Sequence, residues 1–257
     1  MPTDTIGGIT WNYTLSGNNA TIGTGSNSTN GNATTSGTGL SGAITIPDTV
    51  DGYTVKAVGI WSFRMCNITS VIIPDTVLSI NESAFSLCSN LTSVTFGNSV
   101  TSIETLAFLS TSNIASINLP NTITTLRASC FQANTTLTTV TIPASVTTLE
   151  GQAFDGCSGL TSVIIEQGSL LPAIGNACFM NCSALTSINI PNSVSSLGTD
   201  VFGSTHADLT ITMNTKTFDT TTYTSPTTTD ISFFGNPSVT LVLPPITLVF
   251  GKVPNWL

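Results

Sequence analysis

The chain has 257 residues and a net charge of −8, with 5 lysines and arginines against 13 acidic residues. Charged residues make up only 7% of it, where a soluble domain ordinarily has about a quarter. Its strong bases (Lys56, Arg64, Arg127, Lys216 and Lys252) are scattered rather than clustered, which excludes the electrostatic footprint of a nucleic-acid binder. No apolar run reaches the ~20 residues of a membrane-spanning helix, the longest, Val239 to Phe250, being interrupted by Pro244-Pro245.

Residues 1–43 read as an N-terminal cap. Ile9 to Leu15 and Asn19 to Ile22 alternate as strands and turn on Ser16-Gly17-Asn18, which predicts a hairpin. Gly23 to Gly42 is a Gly/Ser/Thr/Asn tract with no core-forming residue before Leu40, and is expected to be a flexible loop. The opening Met1-Pro-Thr-Asp-Thr lacks the basic start and apolar core of a secretory signal, although Met1 itself suits a chain that begins here. An exported chain would carry its signal elsewhere or leave its cell by another route, for example inside a virion.

Residues 44–208 are repetitive. Phe63, Phe85, Phe108, Phe131, Phe154, Phe179 and Phe202 follow one another at steps of 22, 23, 23, 23, 25 and 23. An Ile-Pro or Leu-Pro step recurs in the same phase at Pro47, Pro74, Pro120, Pro143 and Pro191, with Phe96-Gly97 and Ile165-Glu166 in the copies that lack it. Before it, the apolar residues fall as L-x-x-L-x-L, for example Leu137/Val140/Ile142, whose last two members alternate with polar residues as in a half-buried strand. Proline then stops the strand, because it cannot donate to a ladder. A second apolar pair follows, as in Val146 and Leu149, and the Ala-Phe segment closes the coil with rings expected to stack from coil to coil. A fixed period in the 20s means a solenoid in which no unit buries its apolar face until it meets its neighbours. Asp51-Gly52-Tyr53 reads as an inserted turn, and the 25-residue step around Gln167 to Gly175 must bulge outward.

The unit, L-T-S-V-x-I-P-x-S-V-T-S-I-x-x-x-A-F-x-x-C, resembles the BspA-like class of leucine-rich repeat. Leu91 to Phe108, Leu137 to Cys157 and Leu185 to Phe202 carry the likeness best, and it extends over about Ile44 to Phe202. The resemblance implies a mainly β, right-handed leucine-rich-repeat solenoid of about seven ~23-residue coils with N- and C-terminal β caps. It also implies recognition or adhesion at a cell or virion surface rather than catalysis.

Residues 209–257 leave the register. Val239 to Leu243 and Ile246 to Phe250 read as two strands around the proline pair. They form either the C-terminal cap or an arm that pairs with another subunit, which makes Val239, Leu241, Leu243, Ile246, Leu248 and Phe250 assembly candidates.

Four of the six cysteines (Cys66, Cys88, Cys157, Cys182) stand three residues after the repeat phenylalanine, where Asn134 stands in another coil. Leucine-rich repeats place Cys or Asn there to satisfy turn backbone groups, so buried free thiols are expected. Disulfides between adjacent coils, Cys66 to Cys88 or Cys157 to Cys182, are the geometric alternative. His206 is the only histidine and has no positioned nucleophile, and no C-x-x-C occurs, so neither a triad nor a zinc site is expected. Asp48 and Asp75, in phase with Asn98, Asn121 and Asn192, are expected to bond their own turn backbone, with a calcium ladder as the alternative.

The outward strand positions Thr92, Ser93, Thr95, Thr138, Thr139, Thr141, Thr186 and Ser187 form a candidate face of hydroxyls and methyls without the Tyr, Trp or Arg anchors of ordinary protein interfaces. An ice-binding array is one reading of it, interrupted by Ile72, Ile164 and Asn118. Sequons at Asn12, Asn19, Asn27 and Asn32 lie on the cap and its loop, where glycans are tolerable. No acid/base pair, nucleophile constellation or phosphate loop is present, and no cofactor is expected. The expected role is a structural or interaction protein whose partner is itself, as oligomer or filament, or another surface protein. An adhesin for a host protein is the alternative.

Overall fold

The computed structural model describes residues 2–23, 31–34, 36–206, 209–213 and 240–242. Alternation of apolar and polar residues builds a first wall of parallel strands. Ser41–Thr45, Asn67–Ile72 and Ser93–Thr95 form one run, and Ser116–Ile117, Thr139–Ile142, Ser162–Ile165, Ser187–Ile190, Thr210–Met213 and Thr240–Val242 form another. Register is repeat on repeat: Val71 pairs with Val94, Val140 with Val163, and Ile188 with Ile211. Every second side chain is thereby committed to the core and the rest face out.

The two runs part where Phe96-Gly97 replaces the proline step. There Phe96 turns its ring edge-on to Phe108, with centroids 5.9 Å apart, and Gly97 packs directly over the preceding coil. A Cβ on Gly97 would lie 2.4 Å from the Pro74 carbonyl oxygen, so only glycine fits.

The second apolar pair of each coil makes a second, narrower wall. Tyr53–Val58, Ser79–Ile80, Ser102–Ile103, Thr125–Leu126 and Thr148–Leu149 pair in parallel, and Ala173–Ile174 with Ser196–Leu197 resume after a gap. The gap follows the 25-residue step, whose extra residues leave Gln167, Gly168 and Leu170 exposed while Leu171 stays in the core. The inserted turn at Asp51-Gly52 closes a small hairpin between Thr49–Val50 and Tyr53–Val58.

The third side is a ribbon of turns around the phenylalanines. Two residues before each ring (Trp61, Ser83, Leu106, Ser129, Gln152, Ala177, Asp200) and two after it (Met65, Leu87, Ser110, Ala133, Gly156, Asn181, Ser204), the backbone is left-handed, with φ from 52° to 71°. Such angles are unfavourable for side chains. They persist because they aim alternate N–H groups at the next coil: Ser83, Phe85 and Leu87 donate to the carbonyls of Thr105, Ala107 and Leu109 at 3.0, 2.8 and 2.8 Å. Ser86 and Cys88 bond back within their own coil, to Ser83 and Phe85.

Gly156 is the only glycine in this set. Gly156→Ala is expected to lower stability by about 1 kcal/mol and Ala133→Gly to raise it by a similar amount. A Cβ at Gly156 comes no closer than 3.6 Å to another atom, so the backbone conformation alone is tested. Urea denaturation reads both variants, and shifts of the same sign would refute the strain.

Inside the three sides the rings stack in a single column. Successive centroids from Phe63 to Phe202 lie 5.0, 5.1, 5.3, 5.4, 5.6 and 5.9 Å apart, with planes within 11° of parallel. Trp11 closes the N-terminal end of the column edge-on to Phe63.

The cap holds more than the expected hairpin. β1 (Thr3–Ile6), β2 (Ile9–Ser16) and β3 (Asn19–Ile22) form an antiparallel meander, and β3 joins Tyr53–Val58 in parallel. β1 turns into β2 through Gly7-Gly8, at φ 61° and 81°, a turn signal that the sequence reading passed over. The expectation of a loop without core residues over Gly23 to Gly42 is corrected for part of the tract. Asn32, Ala33 and Thr34 are buried, Ala33 takes a hydrogen bond from Asn12 and donates one to the Ser62 carbonyl, and Trp11 bridges to Thr34. Small residues suit this place because the chain passes so close to the first coil.

Candidate interaction surface

The outward residues of the first wall stand in two columns. Taken by strand register and, across the break between the runs and at Asn118 and Asn189, by repeat phase, one reads Ala43, Ser70, Ser93, Ser116, Thr139, Ser162, Ser187 and Thr210, and the other reads Thr45, Ile72, Thr95, Asn118, Thr141, Ile164, Asn189 and Thr212. Neither column contains a charged or aromatic side chain, although the chain as a whole is strongly acidic. Of the residues expected on this face, Thr92, Ser93, Thr95, Thr138, Thr139, Thr186 and Ser187 are exposed and Thr141 is half-buried.

Thr92, Thr138 and Thr161 at the strand entry donate their hydroxyls to the carbonyls of Thr69, Ala115 and Thr138 in the preceding coil, at 3.0, 3.1 and 3.0 Å. A similar series runs down the second wall, where Thr101, Thr124 and Thr147 reach Leu78, Thr101 and Thr124. These hydroxyls therefore serve the solenoid itself, which holds each side chain in one orientation.

Charge lies along the borders and on the second wall. Asp75 accepts the Asn98 backbone N–H at 2.7 Å, and Glu166 accepts that of Ala144 at 3.0 Å. Asp75 was expected to bond its own turn. It bonds the next coil instead, because the coils stack closely enough for a short carboxylate to span them. Arg127 joins Glu104 at 3.5 Å and Glu150 at 2.5 Å across three consecutive coils, and the Glu150 bond chiefly holds its guanidinium protonated. Asp155, buried, takes amide bonds from Gln132 and Asn181 at 2.8 and 2.9 Å.

The position three residues after each phenylalanine forms a polar seam inside the coil. Cys88, Cys157 and Cys182 donate thiol protons to the carbonyls of Phe63, Phe131 and Phe154 in the preceding coil at 2.9, 3.2 and 3.2 Å. Asn134 reaches both Phe108 and Phe131 at 2.8 Å. Thr111 and Thr205 occupy the same phase and bond Phe108 and Phe202 within their own coils, a role the sequence reading passed over because threonine is so common here. All six cysteines are free and buried, so the disulfide alternative is corrected: the seam turns each sulfur toward a carbonyl rather than toward its neighbour.

Asn134→Ala is expected to cost about 1–2 kcal/mol, since it removes two amide bonds and the acceptor of the Thr111 hydroxyl at 2.6 Å, while the Phe131 carbonyl keeps Cys157 and the Phe108 carbonyl keeps Thr111. Asn134→Cys, which puts the common residue of the seam there, should recover part of that. Thermal denaturation of both variants checks it, and equal losses would sink the account.

The remaining candidates are dispersed. Asn19 is exposed and Asn12 half-buried, with its amide donating to the Asn32 carbonyl at 3.0 Å. Asn32 is buried and donates to the Ile60 carbonyl, so the folded chain does not present it to a glycan. Asn27, Val239, Leu243, Ile246, Leu248 and Phe250 lie outside the described residues. Leu241 lies in Thr240–Val242, which pairs in parallel with Thr210–Met213 of its own chain. Among the described residues no helix is long and apolar enough to cross a membrane, and no group of three or more His, Cys, Asp or Glu side chains converges.

Six copies of a BspA type leucine-rich repeat region match the chain over residues 56–171 and 166–239. A leucine-rich repeat protein from T. pallidum is similar in structure, with a TM-score of 0.67 and 23% identity over 78% of this chain and 88% of that one. Another, from Bacteroides ovatus, has a TM-score of 0.59 and 21% identity over 81% of this chain, which spans 63% of that protein. Identities at this level speak to the fold alone. No curated protein is similar enough to count as a relative.

Proposed function

Because the chain belongs to the BspA-type leucine-rich repeat family, we propose that it is a non-enzymatic structural or interaction protein. We place it outside its cell, at a cell or virion surface, assembling with copies of itself or with other surface proteins through its solenoid walls and terminal strands. The observation that carries this reading is the first wall: a rigid, repeating array of small uncharged side chains on a chain of net charge −8. A regular face of small uncharged side chains, each held in one orientation by the solenoid, suits prolonged contact with another surface.

Electron microscopy and sedimentation of the purified full chain test it. Oligomers, filaments or arrays support self-assembly, and a partner recovered from a surface extract supports heterotypic binding. Monomers at every concentration, with nothing recovered, would overturn it.

A further inference from the structure

The first wall's second outward column is close to a palindrome about its fourth member. In rung order Thr45, Ile72, Thr95, Asn118, Thr141, Ile164 and Asn189, the positions equidistant from Asn118 hold Thr95 and Thr141, then Ile72 and Ile164. Both isoleucines are unusually open for their type, 49% and 53% exposed. In the other outward column the reflection about Ser116 relates Ser70 to Ser162 and sets Ser93 against Thr139, a hydroxyl against a hydroxyl.

We propose, building on the self-association reading above, that this face docks a second copy of the chain about a two-fold axis that lies along the strand direction at the Asn118 rung. Such an axis reverses the solenoid while keeping each position along the strand, so each column meets itself in reverse. Ile72 of one copy then covers Ile164 of the other, twice over, and Asn118 meets Asn118. A closed two-fold contact requires this self-complementarity.

Charge favours a second copy as the occupant. Two chains of net charge −8 repel one another as wholes, and an uncharged face is where they approach at least cost. Of the border acids, Asp75 and Glu166 are turned along the solenoid to backbone N–H groups, and exposed Asp48 stands beyond Thr45 at the end rung. Seven rungs about 4.8 Å apart and some 17 Å wide present roughly 550 Å² per copy, or about 1,100 Å² in all, which passes the ~1,000 Å² a specific interface needs.

The test uses the full chain. Sedimentation should show a monomer–dimer equilibrium that strengthens with added salt, because screening relieves the like charges outside the face. Ile72→Asp and Ile164→Asp should each weaken the dimer about tenfold or more while leaving the far-ultraviolet spectrum unchanged. Under mild oxidation Asn118→Cys should give a covalent dimer. The paired variant Ile72→Cys with Ile164→Cys should do so too, but Ile72→Cys alone should not. A strictly monomeric chain would overturn both this proposal and self-association. Oligomers that ignore Ile72→Asp and give no Asn118→Cys crosslink would overturn this face alone and leave assembly to the solenoid ends. Crosslinking by Ile72→Cys alone would overturn the placement of the axis.

Discussion

Phe131→Ala is expected to destabilise the chain by about 3–5 kcal/mol and to split its unfolding into more than one transition. The ring is 1% exposed and lies between Phe108 at 5.3 Å and Phe154 at 5.4 Å. Removing it deletes a buried aromatic and also strips both neighbours of a stacking partner, each such pair being worth about 0.5–1.5 kcal/mol beyond area burial. The hole cannot be refilled from a distance, because each coil touches only the coils before and after it. A solenoid's stability is close to a sum of coil and interface terms, so weakening the middle interface uncouples the two halves.

Urea denaturation followed separately by tryptophan fluorescence and far-ultraviolet circular dichroism should therefore give coincident curves for the parent and divergent ones for the variant. Trp11 and Trp61 lie on the N-terminal side of the break, and with the third tryptophan changed, Trp256→Phe, in both chains the fluorescence reports that side alone. Phe131→Leu, which keeps most of the volume, should lose far less. A loss under about 1 kcal/mol for Phe131→Ala, with curves still coincident, would mean that the ring column does not hold the coils together.

The phenylalanine phase was legible because the ring is the bulkiest member of each unit and only one place in the coil admits it. The strands of the first wall were legible for a related reason: Val140 and Ile142 alternate with Thr139 and Thr141, and one face must be buried. The left-handed turn positions carry no such mark. Trp61, Leu106, Gln152 and Ala177 share one backbone conformation without sharing any property of side chain, since hydrogen bonds to the next coil impose it. Ala33 was invisible as a core residue because nothing local distinguishes it from the polar tract around it. Only the arrival of Asn12 and Ser62 from elsewhere in the chain pairs its backbone and sets it in the core. On the candidate face, the uncharged residues could be read one coil at a time. The relation between Ile72 and Ile164 could not, because they had registered as interruptions of a threonine array. Their symmetry emerges only when the rungs are counted on the assembled wall.

The buried thiols lead to the second large effect, a steep loss of stability in alkali. A cysteine thiol ordinarily titrates near 9, and burial pushes Cys66 up to about 11 and Cys88 and Cys157 up to about 12. Cys130, Cys178 and Cys182 are also raised by burial. Well below pH 9, at about pH 8 and lower, the folded and unfolded chains hold the same thiol protons, and these groups leave stability nearly unchanged. Above it the unfolded chain releases protons that the folded chain keeps, so stability falls as pH rises and goes on falling until the folded thiols themselves ionise. At pH 10 each thiol that the fold keeps protonated contributes a loss on the order of 1 kcal/mol, less for Cys66, which burial raises least, so together they remove several kcal/mol, a large share of the stability of an ordinary domain. Tyr13, whose hydroxyl donates to Asp51 and is pushed up to about 12, works in the same direction.

The repeat itself supplies the control. Threonine stands at the seam position in Thr111 and Thr205, and alanine stands before the ring in Ala84, Ala107 and Ala153. A chain with Cys66, Cys88, Cys157 and Cys182 changed to threonine and Cys130 and Cys178 changed to alanine keeps the polar seam and the core while removing every titrating thiol. Urea midpoints of the parent between pH 8 and 10.5 should fall steeply, and those of the six-fold variant should fall only gently. Equal slopes for the two chains would show that the thiols are not what alkali attacks. A thiol-specific aromatic disulfide reagent gives an independent reading at pH 8, where the native chain should react slowly and the urea-unfolded chain should titrate all six cysteines at once.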